Sequence, residues 1–151
     1  ETTRLVMVEV DRLAKPGDTI LDVGCGSGIL AVAGLLLGGE SAICLDIDPL
    51  AVDVSLENAE RNGVQARLTA STQDVREVPG QFSLVLANIQ AGVLKELAAS
   101  LIEHVQPGGT LVLSGVLVGQ EHDLSESFEV LGQPQLRYEN EWVSLTYTRP
   151  A

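Results

Sequence analysis

Three glycines at alternate positions follow a short apolar segment near the start of the chain. Gly24, Gly26 and Gly28 come directly after residues 20–23, and an apolar helical pattern follows them. Glycine lets a backbone bend sharply and approach a ligand closely, and the first N–H groups of a helix carry a partial positive charge. Such a turn could receive a carboxylate or a phosphate, so by itself it does not decide between them.

The spacing of the glycines distinguishes two kinds of nucleotide site. The dinucleotide fingerprint G-x-G-x-x-G would require glycine at position 29, where this chain has Ile29. Asp22 lies two residues before Gly24, where an anion would repel a pyrophosphate but suit the ammonium group of a methionyl moiety. The pattern therefore favours S-adenosylmethionine over NAD as the cofactor.

Asp46 ends a second apolar segment and comes 22 residues after Gly24 (46 − 24). This is close to the spacing at which an acidic side chain accepts hydrogen bonds from both ribose hydroxyls. The alternative is an Asp that caps the next helix, but Asp48 before Pro49 already supplies that cap. We therefore predict a ribose contact for Asp46 and a further cofactor contact for its neighbour Ile47.

Strands and helices alternate along most of the chain. Apolar spacing and glycine or proline stops predict helices over residues 5–13, 27–37, 49–61, 93–105 and 124–131. Short apolar runs predict strands over residues 19–23, 41–46, 66–70, 82–87 and 110–114. We expect the fourth helix to be halted by the Pro-Gly-Gly sequence that starts at Pro107.

The end of the chain departs from this alternation. Residues 135–139 and 142–148 are strand-like and are separated only by Asn140 and Glu141, so they should pair antiparallel. Five strand–helix repeats closed by a hairpin predict an α/β fold of the class I methyltransferase type, which is Rossmann-like. Its sheet would have seven strands, mostly parallel with one antiparallel strand, and helices on both faces.

Composition is that of one compact domain spanning residues 1–151. The chain is 45% hydrophobic, has no apolar run of 18 residues, and carries a net charge of −12. This charge disfavours a nucleic-acid partner and a direct nucleic-acid contact, and suits a cytoplasmic enzyme or a basic protein partner. Because the chain does not begin with Met, we expect it to be a fragment that lacks an upstream domain.

Four side chains with reactive groups are expected to take no part in the chemistry. Cys25 and Cys44 lack the spacing of a metal site or a disulfide framework, so both are predicted to be free thiols. His104 and His122 fall on the polar faces of predicted helices and should be surface residues. No metal is expected.

Several motifs together resemble one family of methyltransferases, those of ribosomal protein L11, over the whole chain. They are Thr2-Thr-Arg-Leu5, Leu21-Asp-Val-Gly-Cys-Gly-Ser-Gly-Ile-Leu30, Asp46-Ile-Asp-Pro-Leu50, Glu57-Asn-Ala-Glu-Arg-Asn-Gly63, Ala87-Asn-Ile89, Pro107-Gly-Gly109, Leu113-Ser-Gly115 and Glu141-Trp-Val143. The resemblance implies a protein methyltransferase that modifies lysine and α-amino groups of the ribosomal protein. It further implies an N-terminal recognition domain, which this chain lacks, before the catalytic domain that it matches.

Two residues depart from the family pattern. Gln90 stands where the family usually has leucine after Asn-Ile, and Ser83 replaces the acid common near the start of the fourth strand of class I enzymes. Either change could alter the choice of substrate and leave cofactor binding intact. Two alternatives stay open: a small-molecule or nucleic-acid methyltransferase on the same scaffold, and, because the recognition domain is expected to be missing, a cofactor-binding module without its own acceptor site.

The remaining candidate site residues follow strands or open the chain. Asn88 follows the fourth strand, where its side chain could contact the cofactor and orient an incoming amine as the catalytic residue; the alternative is a helix cap. Thr72 or Asp74 could contact adenine, or the loop could be a solvated turn. Thr2 and Thr3 resemble a family segment that folds over the methyl donor, and their alternative is again a helix cap.

Overall fold

The computed structural model describes all 151 residues, which form five α-helices and seven strands. The helices are α1 (Thr2–Leu13), α2 (Ile29–Leu36), α3 (Pro49–Arg61), α4 (Ala91–His104) and α5 (Glu121–Glu126). The strands are β1 (Thr19–Val23), β2 (Ser41–Leu45), β3 (Leu68–Ser71), β4 (Phe82–Asn88), β5 (Val105–Leu117), β6 (Gln135–Glu139) and β7 (Trp142–Thr148). Short 3-10 turns cover Gln65–Arg67, Val75–Glu77 and Glu129–Leu131.

All seven strands belong to one sheet in the order β3-β2-β1-β4-β5-β7-β6. The first five strands pair parallel, whereas β7 pairs antiparallel with both β5 and β6. This confirms the predicted seven-stranded sheet, its single antiparallel strand and the C-terminal hairpin. Chain order reverses between β1 and β4, and such a reversal opens a crevice at the carboxyl ends of the strands.

Two apolar cores lie on opposite faces of the sheet. Leu21, Val85 and Leu111 contribute to the core beneath α4, and Ile20 and Leu84 to the core beneath α1 and α2. Because successive side chains of a strand point to opposite faces, the central strands are apolar along their whole length. The helices on both faces hold the strand ends in fixed positions around the crevice.

Several element boundaries differ from the predicted ones. The fourth helix ends at His104, and β5 begins at Val105, so Pro107 lies inside a strand and does not halt the helix. The irregular pairing of β4 with β5 between Phe82 and Leu84 accommodates this segment. The predicted fifth helix is split into α5 and a 3-10 turn that begins at Glu129.

The prediction that His104 is a surface residue is wrong. Its side chain is buried, and its ring nitrogens lie 2.6 Å from the carbonyl oxygen of Ser100 and 2.7 Å from that of Val78. The ring also stacks on Phe82, with 6.3 Å between the ring centroids. His122 is exposed as predicted, and Cys25 and Cys44 are free thiols.

A buried carboxylate fixes α1 to the C-terminal hairpin. Glu9 accepts hydrogen bonds from Arg12 at 2.7 Å, Arg137 at 2.6 Å and Thr146 at 3.2 Å. Burial would raise the pKa of Glu9, but the bonds from the two arginines outweigh it and hold the pKa below its usual value. These bonds therefore hold the middle of α1 against β6 and β7. No helix of the structure is both long enough and apolar enough to span a membrane.

Candidate active site

The glycine turn lies where β1 and β2 end. The backbone N–H groups of Gly24 and Cys25 both donate to the carbonyl oxygen of Leu45, at 2.8 and 3.0 Å. Gly24 has φ +74°, and a Cβ added there would collide with Ile89 Cγ2. The turn can therefore keep this shape only with glycine at position 24, and it presents bare backbone to the crevice.

The next strand end carries Asp46, as predicted. Its Oδ2 accepts a 2.9 Å hydrogen bond from Gly26 N, and its Oδ1 accepts a 3.0 Å bond from Asp48 N. These bonds orient the carboxylate and leave further lone pairs on both oxygens. The cap of α3 comes from Asp48, which accepts from Leu50 N at 2.9 Å, so Asp46 is not the capping residue.

A cavity of about 580 Å³ runs along these strand ends, a volume in the range of small-molecule sites. It brings together six of the candidate residues: Gly24, Asp46, Ile47, Thr72, Asp74 and Asn88. Ile47 is 95% exposed beside Asp46. Such an exposed side chain offers an apolar surface to a flat ring.

The two candidates for adenine contact both line this cavity, so the structure does not choose between them. Asp74 accepts from Arg76 at 2.9 Å and 2.6 Å, and the bonds from the Arg76 side chain and backbone lower its pKa to about 2. Its carboxylate is thus charged and engaged with its neighbour. Thr72 has no such partner.

Asp22 does not reach the surface of the crevice. Its carboxyl lies fully buried beneath the glycine turn, and neither oxygen has a hydrogen-bond partner. Burial raises its pKa to about 8, and the neighbouring Cys25 and Asp46 add to the rise. The predicted contact between Asp22 and an ammonium group stays a prediction, and it would require the ligand to lie directly over a neutral carboxyl.

Gly26 and Gly28 belong to the turn, although neither lines the cavity. Beyond Gly26 there is open space, whereas a Cβ added at Gly28 would lie 2.8 Å from the Ser55 side chain. Gly28 is also the residue before α2, with φ +75° and no side-chain cap on the helix. Their predicted role as backbone contacts to the cofactor therefore also stays a prediction.

A second cavity, of about 470 Å³, adjoins the first. It is lined by Glu1, Thr2, Asn88, Ile89, Gln90, Gly115 and Trp142. The two cavities share the residues from Asn88 to Gln90, which form the wall between them. Asn88 therefore lines both cavities.

The capping alternatives for Asn88 and the opening threonines are wrong. The residue at the cap of α4 is Gln90, without a side-chain hydrogen bond, and the cap of α1 is Glu1. Instead, Asn88 Nδ2 donates a long hydrogen bond of 3.5 Å to Thr3 Oγ1. The backbone carbonyl of Thr2 accepts from Ser114 Oγ at 3.2 Å, so the first turn of α1 is joined to the ends of β4 and β5.

Among the residues that line the second cavity, Gly115 and Trp142 were not predicted as site residues. Gly115 follows the buried part of β5, and a Cβ there would lie 2.6 Å from the carbonyl oxygen of Ile89. Trp142 begins β7, and because β7 is antiparallel its start lies at the carboxyl ends of the parallel strands. The predicted antiparallel hairpin already places Trp142 at this end of the sheet, whereas no pattern near Gly115 predicts its contact with Ile89.

Ser83, one of the two residues that depart from the family pattern, lies away from the crevice. Ser83 Oγ donates to Asp18 Oδ1 at 2.7 Å and accepts from Thr19 N at 2.9 Å. These bonds join β4 and β1 at the amino ends of the strands, whereas the cavities lie at their carboxyl ends. The hydroxyl therefore has a structural role.

Comparison with known proteins decides the family. The model of the family described as "Ribosomal protein L11 methyltransferase (PrmA)" matches residues 1–150. The chain belongs to this family. A curated member of the PrmA family from Geobacter metallireducens is 46% identical over 97% of this chain and 48% of its own length. Another, from Cupriavidus metallidurans, is 44% identical over 99% of this chain and 49% of its own length. The chain thus spans about half the length of the curated relatives it matches.

Solved structures agree with this assignment. The ribosomal protein L11 methylase of Lactobacillus delbrueckii subsp. bulgaricus superimposes with a TM-score of 0.92 at 29% identity, over 99% of this chain and 79% of that one. An RNA methyltransferase of Salinibacter ruber, solved with S-adenosyl-L-homocysteine, gives a TM-score of 0.75 at 21% identity, over 96% of this chain and 90% of that one. The second likeness shows the fold alone, and it confirms the predicted Rossmann-like class.

Proposed function

We propose that this chain binds S-adenosylmethionine and transfers its methyl group to amino groups of a ribosomal protein. The observation that carries the proposal is the position of Asn88 between two cavities, in a chain of the PrmA family. One cavity has the features of a nucleoside site, and the other is open to an acceptor.

The residues of the first cavity fit an adenosyl group. The bare backbone at Gly24 leaves room for the methionyl part, and the Asp46 carboxylate has lone pairs free for two ribose hydroxyls. Ile47 and Thr72 would contact the adenine ring, with Asp74 as the alternative to Thr72. Asp22 is buried below the turn, so it would contact the ammonium group only if the ligand lies directly over it, and Thr2 would close over the methyl donor.

When bound, S-adenosylmethionine supplies a methyl group that is already activated, so the protein needs neither a nucleophile nor a metal. The task of the chain is to hold an amine in line and to limit its contact with water. Because Asn88 Nδ2 is engaged with Thr3, its Oδ1 is the atom that would accept a hydrogen bond from the amine.

A protein acceptor fits the surface of this chain better than a nucleic acid. The net charge of −12 would repel a phosphate backbone and attract a basic protein. We propose that residues 1–151 form one catalytic domain acting in the cytoplasm. Recognition of the ribosomal protein would use residues outside this domain, because the curated relatives are about twice as long.

Calorimetric titration with S-adenosylhomocysteine tests the cofactor site. Asp46→Ala should weaken binding by about 1.5–3 kcal/mol, because charge-assisted hydrogen bonds to the ribose are lost. Asp48→Ala is the matched control: it removes an exposed carboxylate two residues away that caps α3, so it should lower stability and leave affinity unchanged. Wild-type affinity in Asp46→Ala would refute the ribose assignment.

A further inference from the structure

Two polar side chains of α3 bind the backbone of the glycine turn. Ser55 Oγ donates to the carbonyl oxygen of Gly26 at 3.0 Å, and Asn58 Nδ2 donates to that of Ser27 at 2.8 Å. The two side chains are three positions apart, so they lie on the same face of the helix. One helix therefore binds two consecutive carbonyl groups of the turn.

The close approach of α3 to the turn depends on Gly28. A Cβ added there would lie 2.8 Å from both the Cβ and the Oγ of Ser55, so a larger residue would push the helix away. Ser55 is fully buried, and its oxygen also lies 3.4 Å from Cys25 Sγ. Because the hydroxyl gives its only proton to Gly26, the thiol is the donor in this second contact. The Ser55 hydroxyl thus both donates and accepts within the turn.

Gly26 needs this support because its own surroundings give it none. It has φ +55°, and a Cβ added there would meet no atom within 4 Å. Glycine in open space has access to more backbone conformations than any other residue. The hydrogen bond from Ser55 restricts this freedom at the carbonyl side of Gly26.

Gly26 connects α3 to the proposed ribose ligand. Its carbonyl oxygen is held by Ser55, and its N–H donates to Asp46 Oδ2 at 2.9 Å. The other carboxylate oxygen accepts from the N–H of Asp48, the residue that caps α3. Both oxygens of Asp46 are therefore oriented from α3, one of them through Gly26. A carboxylate fixed in this way can bind two hydroxyls without first being reordered.

We propose that Ser55 and Asn58 are positioning residues for the cofactor: they hold the glycine turn so that Gly26 orients Asp46 toward the ribose hydroxyls. This inference rests on the proposed function, and it adds two residues that do not line the cavity. Because their effect passes through Asp46, it concerns the ribose hydroxyls and leaves the affinity for the rest of the ligand unchanged.

Two ligands that differ by one ribose hydroxyl test this effect. The probes are S-adenosylhomocysteine and 2′-deoxy-S-adenosylhomocysteine, each titrated calorimetrically into the chain. Wild type should prefer the first by at least about tenfold, the effect of one hydrogen bond to a charged acceptor. The ratio of the two affinities reports the orientation of Asp46, and a general loss of stability does not change it.

Two variants remove one donor each. Ser55→Ala should lower the preference to about threefold or less, because affinity for S-adenosylhomocysteine falls and affinity for the deoxy ligand does not. Asn58→Asp keeps the shape of the side chain without its N–H donors, and it should lower the preference in the same way. Both variants lose a contact outside the cavity, so any change in the ratio is transmitted through the turn.

Two matched controls make the same chemical changes elsewhere. Ser83→Ala breaks hydrogen bonds at the amino ends of β1 and β4, so it should lower stability and keep the wild-type preference. Asn62→Asp alters the C-cap of α3, where the side chain donates to the carbonyl oxygen of Asn58, and should also keep it.

The outcomes separate this inference from the proposed function. An unchanged preference in Ser55→Ala or Asn58→Asp, including an equal loss of affinity for both ligands, would overturn the positioning role of that residue. Equal affinity of wild type for the two ligands would overturn the inference and leave the cofactor assignment standing. Failure of wild type to bind S-adenosylhomocysteine would refute the proposed function, and the inference with it.

Discussion

Replacement of Asp22 by asparagine should change how the stability of this protein depends on pH. The carboxyl is fully buried without a partner, and burial raises its pKa to about 8 from an ordinary value of 3.8. Between these two pH values the folded chain keeps the proton that the unfolded chain has lost. Asparagine at this position has a similar shape and no proton to lose.

The sign follows from the proton count. Because the folded state binds more protons, the contribution of Asp22 to the free energy of unfolding is full below pH 4. It falls as the pH rises to 8 and is constant above that. Each pH unit of the interval removes about 1.4 kcal/mol, so about 4 kcal/mol is lost between pH 5 and pH 8. The pKa values of Glu9 and Asp74 are lowered, so those groups change their contribution below this window.

Urea unfolding at pH 5, 6, 7 and 8 measures this effect. The free energy of unfolding of wild type minus that of Asp22→Asn should decrease by about 4 kcal/mol across the series, at about 1.4 kcal/mol per pH unit. Asp53→Asn, at an exposed position of α3, should give a constant difference from wild type. A constant difference for Asp22→Asn as well would show that the buried carboxyl titrates normally, and the reasoning would fail.

Three further variants test the other parts of the site and its support. Gly24→Ala should abolish binding of S-adenosylhomocysteine in a calorimetric titration and lower stability by at least about 1 kcal/mol, because φ is +74° and the new Cβ meets Ile89. Normal binding by this variant would show that the cofactor does not need bare backbone at the turn. Asn88→Ala should lower the rate of methyl transfer to the ribosomal protein with cofactor affinity nearly constant, and an unchanged rate would exclude it from the mechanism. Glu9→Ala should lower the free energy of unfolding in urea by about 2 kcal/mol. This is less than the roughly 3–5 kcal/mol usual for a broken buried ion pair, because the side chain of Arg137 that loses its partner is 43% exposed. A decrease under about 0.5 kcal/mol would show that α1 does not need this contact.

The fold could be predicted because its signals are local. Short apolar runs marked the buried parallel strands, and the two residues between the last two strands left no room for a helical crossover. The positions of Gly24 and Asp46 followed from the same signals, since the ends of neighbouring parallel strands must meet. Their spacing along the chain therefore translated directly into proximity.

Features that depend on contacts between distant segments could not be predicted. His104 lies on a helix face that the pattern marks as polar, but it packs against the carbonyl oxygen of Val78, 26 residues earlier in the chain. Asp22 was expected to serve a ligand, and its full burial follows from how the turn folds over it. The roles of Gly115 and Trp142 depend on how β5 and β7 meet the wall between the cavities.

The central claim is that an adenosyl cofactor binds where β1, β2 and β4 end, and a crystal structure with S-adenosylhomocysteine tests it most directly. We expect the methionyl part over Gly24, both ribose hydroxyls within hydrogen-bond distance of the Asp46 carboxylate, and the sulfur on the side facing Asn88. An empty crevice at saturating ligand, or a ribose bound away from Asp46, would contradict it.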